Sequence, residues 1–220
     1  MSILLERNMS TDSHFTPREL RREREKALRR ADVITAASRI FAEKGFHDAQ
    51  IGEIAGEAEL SLRSVYGLFA GKEEIYQEVV TSTAERMRDA VQGKVLAIPD
   101  AGERLIALVD QLFTCFEENR DLLRIYASST QGLPWKLKQA MGESSSNIFQ
   151  AFRSWVISLA EDARDAGHLK ALDPSAVALA IIGAVTTTAT HWIETRPDEP
   201  LSSAAPDVIA VFTNLLRDRS

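Results

Sequence analysis

The strongest constraint in this chain lies between Ala31 and Val79, where apolar residues recur in three short helical stripes with breaks at defined places. Val33, Ala37, Ile40 and Phe41 share one helix face. Gly45 then stops that helix, because glycine enters the left-handed C-terminal conformation without steric cost. Ile51, Ile54, Ala55 and Ala58 repeat the pattern. The turn Glu59-Leu60-Ser61 follows, with Ser61 as N-cap of a third helix expected over Leu62 to Phe69. That helix buries Val65 and Phe69 and leaves Arg63, Ser64, Tyr66 and Gly67 facing outward. A short helix bearing exposed Arg, Ser and Tyr, propped across another helix, suits the major groove of double-stranded DNA.

The run Phe41-Ala42-Glu43-Lys44-Gly45, then Ile54-Ala55, then Ser61, Ser64-Val65-Tyr66, Phe69 and Lys72-Glu73, resembles the N-terminal domain of tetracycline-repressor (TetR) family transcriptional regulators. The likeness spans about fifty residues with several fixed spacings, which makes it far more specific than a lone helix-turn-helix pattern. It implies base-edge contacts from Leu62, Arg63, Ser64 and Tyr66 and a phosphate contact from Lys72, with Gln50, Ser61 and Gly67 completing the DNA-facing set. Three places depart from the family pattern. Glu59 holds the turn position usual for glycine, which costs on the order of 1 kcal/mol if its backbone is left-handed. Ala49 and Gln50 stand where a Thr or Ser usually caps the second helix. Gly67 and Leu68 replace residues that often reach phosphate.

The net charge of −6 would oppose DNA, but it is unevenly spread: residues 1–72 carry +1 and residues 73–220 carry −7. Local charge sets phosphate attraction, and Arg18 to Arg30 holds seven basic residues against three acidic ones. This polar half begins at Thr16-Pro17-Arg18-Glu19, an N-cap, a first-turn proline and a capping-box glutamate. A long first helix from Pro17 is therefore expected, its basic half either a solvated helix or an arm on phosphates. The single Cys115 excludes an internal disulfide and fits a reducing cytoplasm. Ile3-Leu4-Leu5 is too short an apolar run for a signal peptide, so a cytoplasmic location is expected.

The remainder reads as helices throughout. Gly71-Lys72-Glu73-Glu74 opens a fourth helix reaching about Ile98, and Asp100 caps a fifth through Phe116. A sixth covers about Asp121 to Ser129, and Gly132-Leu133-Pro134 breaks the chain. A short turn from Trp135 to Met141 precedes a seventh helix over about Ser144 to Ala166, stopped by Gly167. Asp173-Pro174 starts an eighth with the stripe Val177, Ile181, Ala184, Val185, Thr188 and Trp192, and a last helix spans about Asp207 to Leu216. The fold class is all-α. The expected organisation is a disordered tail over 1–16, a DNA-binding domain over 17–78 with its helix-turn-helix at about 51–70, and a helical effector-binding and dimerisation domain over 79–220.

The eighth helix is nearly free of charge, yet its threonines, His191 and small residues argue against a membrane span. The resemblance implies instead that the last two helices pair with their symmetry mates, placing Ile181, Gly183, Ala184, Thr188, Val208, Val211, Phe212 and Leu215 at a homodimer interface. It also implies an effector pocket among the fourth to eighth helices. The candidate lining is Phe113, Cys115, Phe116, Tyr126, Trp135, Phe149, Phe152, Thr187 and His191. Glu161, Asp165 and His168 share a helix face, but read as a solvated helix end rather than a metal site; no catalytic grouping and no cofactor motif stand out. The expectation is a dimeric, non-enzymatic repressor that binds a near-palindromic operator and is released by a small hydrophobic effector. The alternative is a helical small-molecule sensor whose head no longer binds DNA tightly.

Overall fold

A computed structural model describes residues 16–130, 137–169 and 172–217, and among these residues every long element is an α-helix. The expected tail thus lies outside the described residues except for Thr16, as do the Gly132–Pro134 break and Trp135. Helix α1, Pro17–Asp48, starts as the capping box requires: Thr16 Oγ1 accepts from Glu19 N at 3.3 Å, and Glu19 Oε2 accepts from Thr16 N at 2.7 Å. Gly45, at φ 75°, kinks its last turn, a conformation that an L side chain adopts only under strain. Helices α2 (Ile51–Glu57) and α3 (Leu62–Tyr66) complete the head. The turn between them is a Schellman closure: Leu60 N donates to Ala55 O and Glu59 N to Gly56 O, with Glu59 left-handed at φ 54°.

Helix α3 is shorter than its sequence pattern suggests. It ends at Tyr66 because Gly67, a poor helix former, caps it, and both Leu68 N and Phe69 N turn back onto Val65 O at 2.9 Å. Phe69 is still buried, as expected, but from the turn rather than from the helix.

Helix α4, Lys72–Leu96, runs out of the head into the body formed by α5 (Ala101–Glu118), α6 (Arg120–Thr130), α7 (Leu137–Asp165), α8 (Pro174–Thr195) and α9 (Ala205–Arg217). The seventh helix has a short first segment from Leu137, then Gly142 (φ 85°, ψ 173°) breaks it, and the long helix starts just beyond that glycine, close to the expected start near Ser144. A Cβ there would meet the side-chain amide of Gln77 at 2.5 Å, so any other residue would displace that amide as well as strain the backbone.

The buried residues fall into two cores. The head core holds Val33, Phe41, Ile54, Val65, Phe69, Ile75 and Val79, and the body core holds Leu105, Leu108, Leu159, Ile181 and Val185. Leu122 and Ile125 of α6 belong to the head core although they lie far along the chain. Met87, Tyr126 and Phe149 pack against both. Tyr76 Oη lies 3.0 Å from Ser129 Oγ and fastens α4 to α6 across the same seam. Helix α8 is long and apolar enough to cross a membrane by length and composition, but in the body it packs on α5, α6 and α7.

Two residues expected at the dimer interface are core residues of the chain itself: Ile181 is 1% exposed and Phe212 is 5% exposed. The helical period explains this, because Ile181 and Gly183 point about 200° apart around α8. The outward stripe of α8 is Leu179, Ala180, Gly183, Thr187 and His191, and α9 turns Val211 outward. Ala184, Thr188 and Val208 are half-buried at its edges, and the side chain of Leu215 lies outside the described residues.

Candidate functional site

The head presents α3 to solvent. Leu62 is 47% and Tyr66 54% exposed, with Arg63 beside them, while Val65 faces inward at 1%. Ser61 and Ser64 serve the helix first. Ser61 Oγ accepts from Ser64 N at 3.1 Å and lies 2.8 Å from Ser64 Oγ. Gln50 is the exposed N-cap of α2, its N–H donating to Glu53 at 3.3 Å.

Lys72 has a role that sequence reasoning missed. Its Nζ donates to His47 O (3.0 Å) and Ala49 O (2.9 Å) and sits 4.7 Å from the Phe46 ring centre. It thereby ties the start of α4 to the end of α1, with one donor left for a phosphate. Only the fold brings those carbonyls to it, so no local sequence signal could have shown this.

Arg30 was also missed, because it sits among six other basic residues in a polar run. Its Nε donates to Glu78 Oε1 at 2.7 Å, Nη2 to Glu74 Oε1 at 3.0 Å and to Glu78 Oε2, and Nη1 to Leu68 O at 2.5 Å. The guanidinium carbon lies 4.0 Å from the Phe69 ring centre. Glu78 foremost, with Glu74, holds the guanidinium protonated beyond its ordinary range. Glu74 is in turn held below the usual carboxylate range, first by the N–H of Ala70 and then by Arg30.

In the body a cavity of about 160 Å³ opens among α4, α5, α6, α7 and α8. Cys115, Phe116, Tyr126, Phe149 and Phe152 of the expected set line it. Phe113 does not; it is 1% exposed within the core. Thr187 and His191 do not either, because both face solvent on α8, and Thr186 lines the cavity in their place. The α4 wall, Val80, Ala84, Met87, Arg88 and Val91, was not foreseen. It could have been sought in the i, i+4, i+7, i+11 spacing of Val80, Ala84, Met87 and Val91.

The lining is almost wholly apolar, with few polar groups to orient a ligand. Ser145 Oγ is buried and, among the described residues, has no hydrogen-bond partner; such an orphan costs about 1–3 kcal/mol and a ligand acceptor would relieve it. Burial raises the Tyr126 phenol above its ordinary range. It also pushes the Cys115 thiol up to about 11, so the thiol stays protonated at neutral pH. Arg88 is the single guanidinium in the lining, part-exposed and donating to Asp89 at 2.8 and 2.9 Å. Among the described residues no group of three or more His, Cys, Asp or Glu is placed to hold a metal.

Residues 33–79 match the family model for bacterial regulatory proteins of the tetR family. The chain is 30% identical over 149 residues to the transcriptional regulator BetI of Klebsiella pneumoniae, covering 64% of this chain and 75% of that protein. It is 23% identical over 192 residues to the fatty acid metabolism regulator protein of Bacillus subtilis, covering 85% and 95%. The match to B. subtilis YdgC, an HTH-type transcriptional regulator, is 31% over 100 residues, 44% of this chain, and spans about half (51%) of that relative. Among solved structures, FadR from B. subtilis in complex with stearoyl-CoA superimposes with a TM-score of 0.70 at 19% identity, covering 86% of this chain and 99% of that one.

Proposed function

The chain is a transcriptional regulator of the tetR family of bacterial regulatory proteins, and we propose that it acts in the cytoplasm as a homodimeric repressor released from a near-palindromic operator by a small hydrophobic effector. One observation carries the proposal. Helix α4 holds the head through Lys72, Glu74 and Glu78 and, from Val80 to Val91, forms a wall of the apolar cavity. Whatever moves that wall moves the head.

The volume supports this reading. At about 160 Å³ the cavity is smaller than a drug-sized ligand requires. A longer apolar molecule therefore needs the walls to part, and so prefers a conformation other than the closed one. That difference in affinity is what shifts the equilibrium. In the dimer the two α3 helices meet successive major grooves about 34–36 Å apart, so a small tilt of α4 takes them out of register. The outward stripes of α8 and α9 supply the surface for the second subunit.

For the effector, an apolar chain with one acceptor group fits the lining: aromatic and aliphatic walls for the chain, Ser145 for the acceptor. The stearoyl-CoA held by the structurally similar FadR points to a long acyl chain as the first candidate. Arg88 offers one cation for a carboxylate end but no cluster for a polyphosphate. Thermal shift with stearic acid, stearoyl-CoA, free coenzyme A, an apolar alcohol and a quaternary ammonium amphiphile tests the class. Acyl compounds should raise the melting temperature and release DNA from the gene's own upstream region. Stabilisation by free coenzyme A, a multiply charged anion without an acyl chain, and not by stearic acid would overturn the hydrophobic reading; stabilisation without any DNA binding would leave a sensor and not a repressor.

A further inference from the structure

Helix α3 has five residues, too few to hold a helix, let alone a fixed orientation, by its own hydrogen bonds. Its N-terminal end is set by the Ser61 cap and the Glu59 turn. Its C-terminal end runs through Gly67 into a non-helical turn, Leu68 to Ala70, which must be fixed by something else. Arg30 meets that turn on three sides: the Leu68 carbonyl, the face of Phe69 and, through Glu74, the Ala70 N–H at 2.7 Å.

We propose that Arg30 is the positioning residue of the recognition helix, clamping the turn that closes α3 onto the first two turns of α4 without itself touching DNA. The proposal rests on the DNA-binding reading of α3 and adds to it the device that sets the helix's angle. Arg30 differs in kind from the basic residues before it on α1. Arg18, Arg21, Arg22, Arg24, Lys26 and Arg29 are exposed, whereas Arg30 is turned inward with its donors engaged by three acceptor groups. The planar fork is essential, because a single ammonium cannot serve two carboxylates and a carbonyl spread around it. Glu78 lies two residues before Val80, the first cavity residue on α4, so the clamp grips the turn of α4 that leads into the cavity wall.

Amide hydrogen exchange and DNA binding of Arg30→Ala and Arg30→Lys, with the parent beside them, test this. In Arg30→Ala, exchange over residues 62–70 should rise at least tenfold while 79–95 stays as in the parent. The affinity ratio between the gene's own upstream DNA and a random duplex should fall at least tenfold, with the salt slope on random DNA unchanged. Arg30→Lys should recover more of the melting temperature than of that ratio. Exchange rising evenly over 31–79 would mean that Arg30 only holds the head together, and would overturn the proposal. A salt slope reduced by about one would instead make Arg30 a phosphate contact and overturn it equally. If the parent shows no preference for its upstream DNA, the DNA reading fails, and the exchange experiment alone decides whether the clamp exists.

Discussion

Arg63 and Lys72 both carry charge toward the proposed DNA surface, but the structure gives them different tasks. Arg63 stands exposed on α3, so Arg63→Ala should cost about 1–3 kcal/mol on the upstream DNA and relax sequence preference, read by anisotropy against a random duplex. Lys72→Ala should flatten the salt slope by about one on every sequence and should also lower the melting temperature, because the carbonyls of His47 and Ala49 lose their donor. Which residues face outward on α3 was legible, since exposure follows from helical period. The inward commitments of Lys72 and Arg30 were not, since their partners are distant in sequence. Cys115 yields a pH prediction. Its thiol is raised to about 11 by burial, so the fold favours the neutral form. That contribution is complete below the unfolded thiol's pKa, and is lost as pH rises from there through about 11. Alkylation by iodoacetamide at pH 8 should therefore be slow, and an acyl ligand in the cavity should slow it further. Rapid alkylation unaffected by ligand would place the thiol outside the cavity.

Among the elements, the turn before α3 stores a small strain. Glu59 sits at φ 54°, where glycine carries no Cβ penalty, so Glu59→Gly should stabilise the head by about 0.5–1 kcal/mol in urea unfolding. A loss of stability would show that the glutamate side chain compensates in some other way. The caps at Thr16, Ser61, Asp100 and Asp173 were readable because each depends on residues three apart, and each forms as written. The end of α3 was not, because its period continued through Phe69 while Gly67 broke the backbone. Helix α8 shows another limit. It is apolar almost all round, so periodicity could not say which face met the core, and Ile181 was assigned outward although it is buried. The exposed stripe through Ala180 and Thr187 is the better candidate for the second subunit. Ala180→Glu should give a folded monomer by light scattering that no longer binds operator, and a dimeric Ala180→Glu protein would remove this face from the assembly.

In the whole molecule the cavity lies at the seam between the two cores, where Met87, Tyr126 and Phe149 touch both. The sequence reads as a head followed by a body. It did not show that Leu122 and Ile125 of α6 complete the head core, so that one buried cluster holds residues from both parts. The central claim is that an apolar ligand in the body weakens DNA binding by the head through α4 and α6. Its most direct test is the anisotropy of a labelled duplex from the gene's upstream region, titrated with protein with and without saturating stearic acid. A dissociation constant at least tenfold higher with ligand, about 1.4 kcal/mol of coupling, is the predicted result. Equal affinity under both conditions, with ligand binding verified by thermal shift, would contradict it.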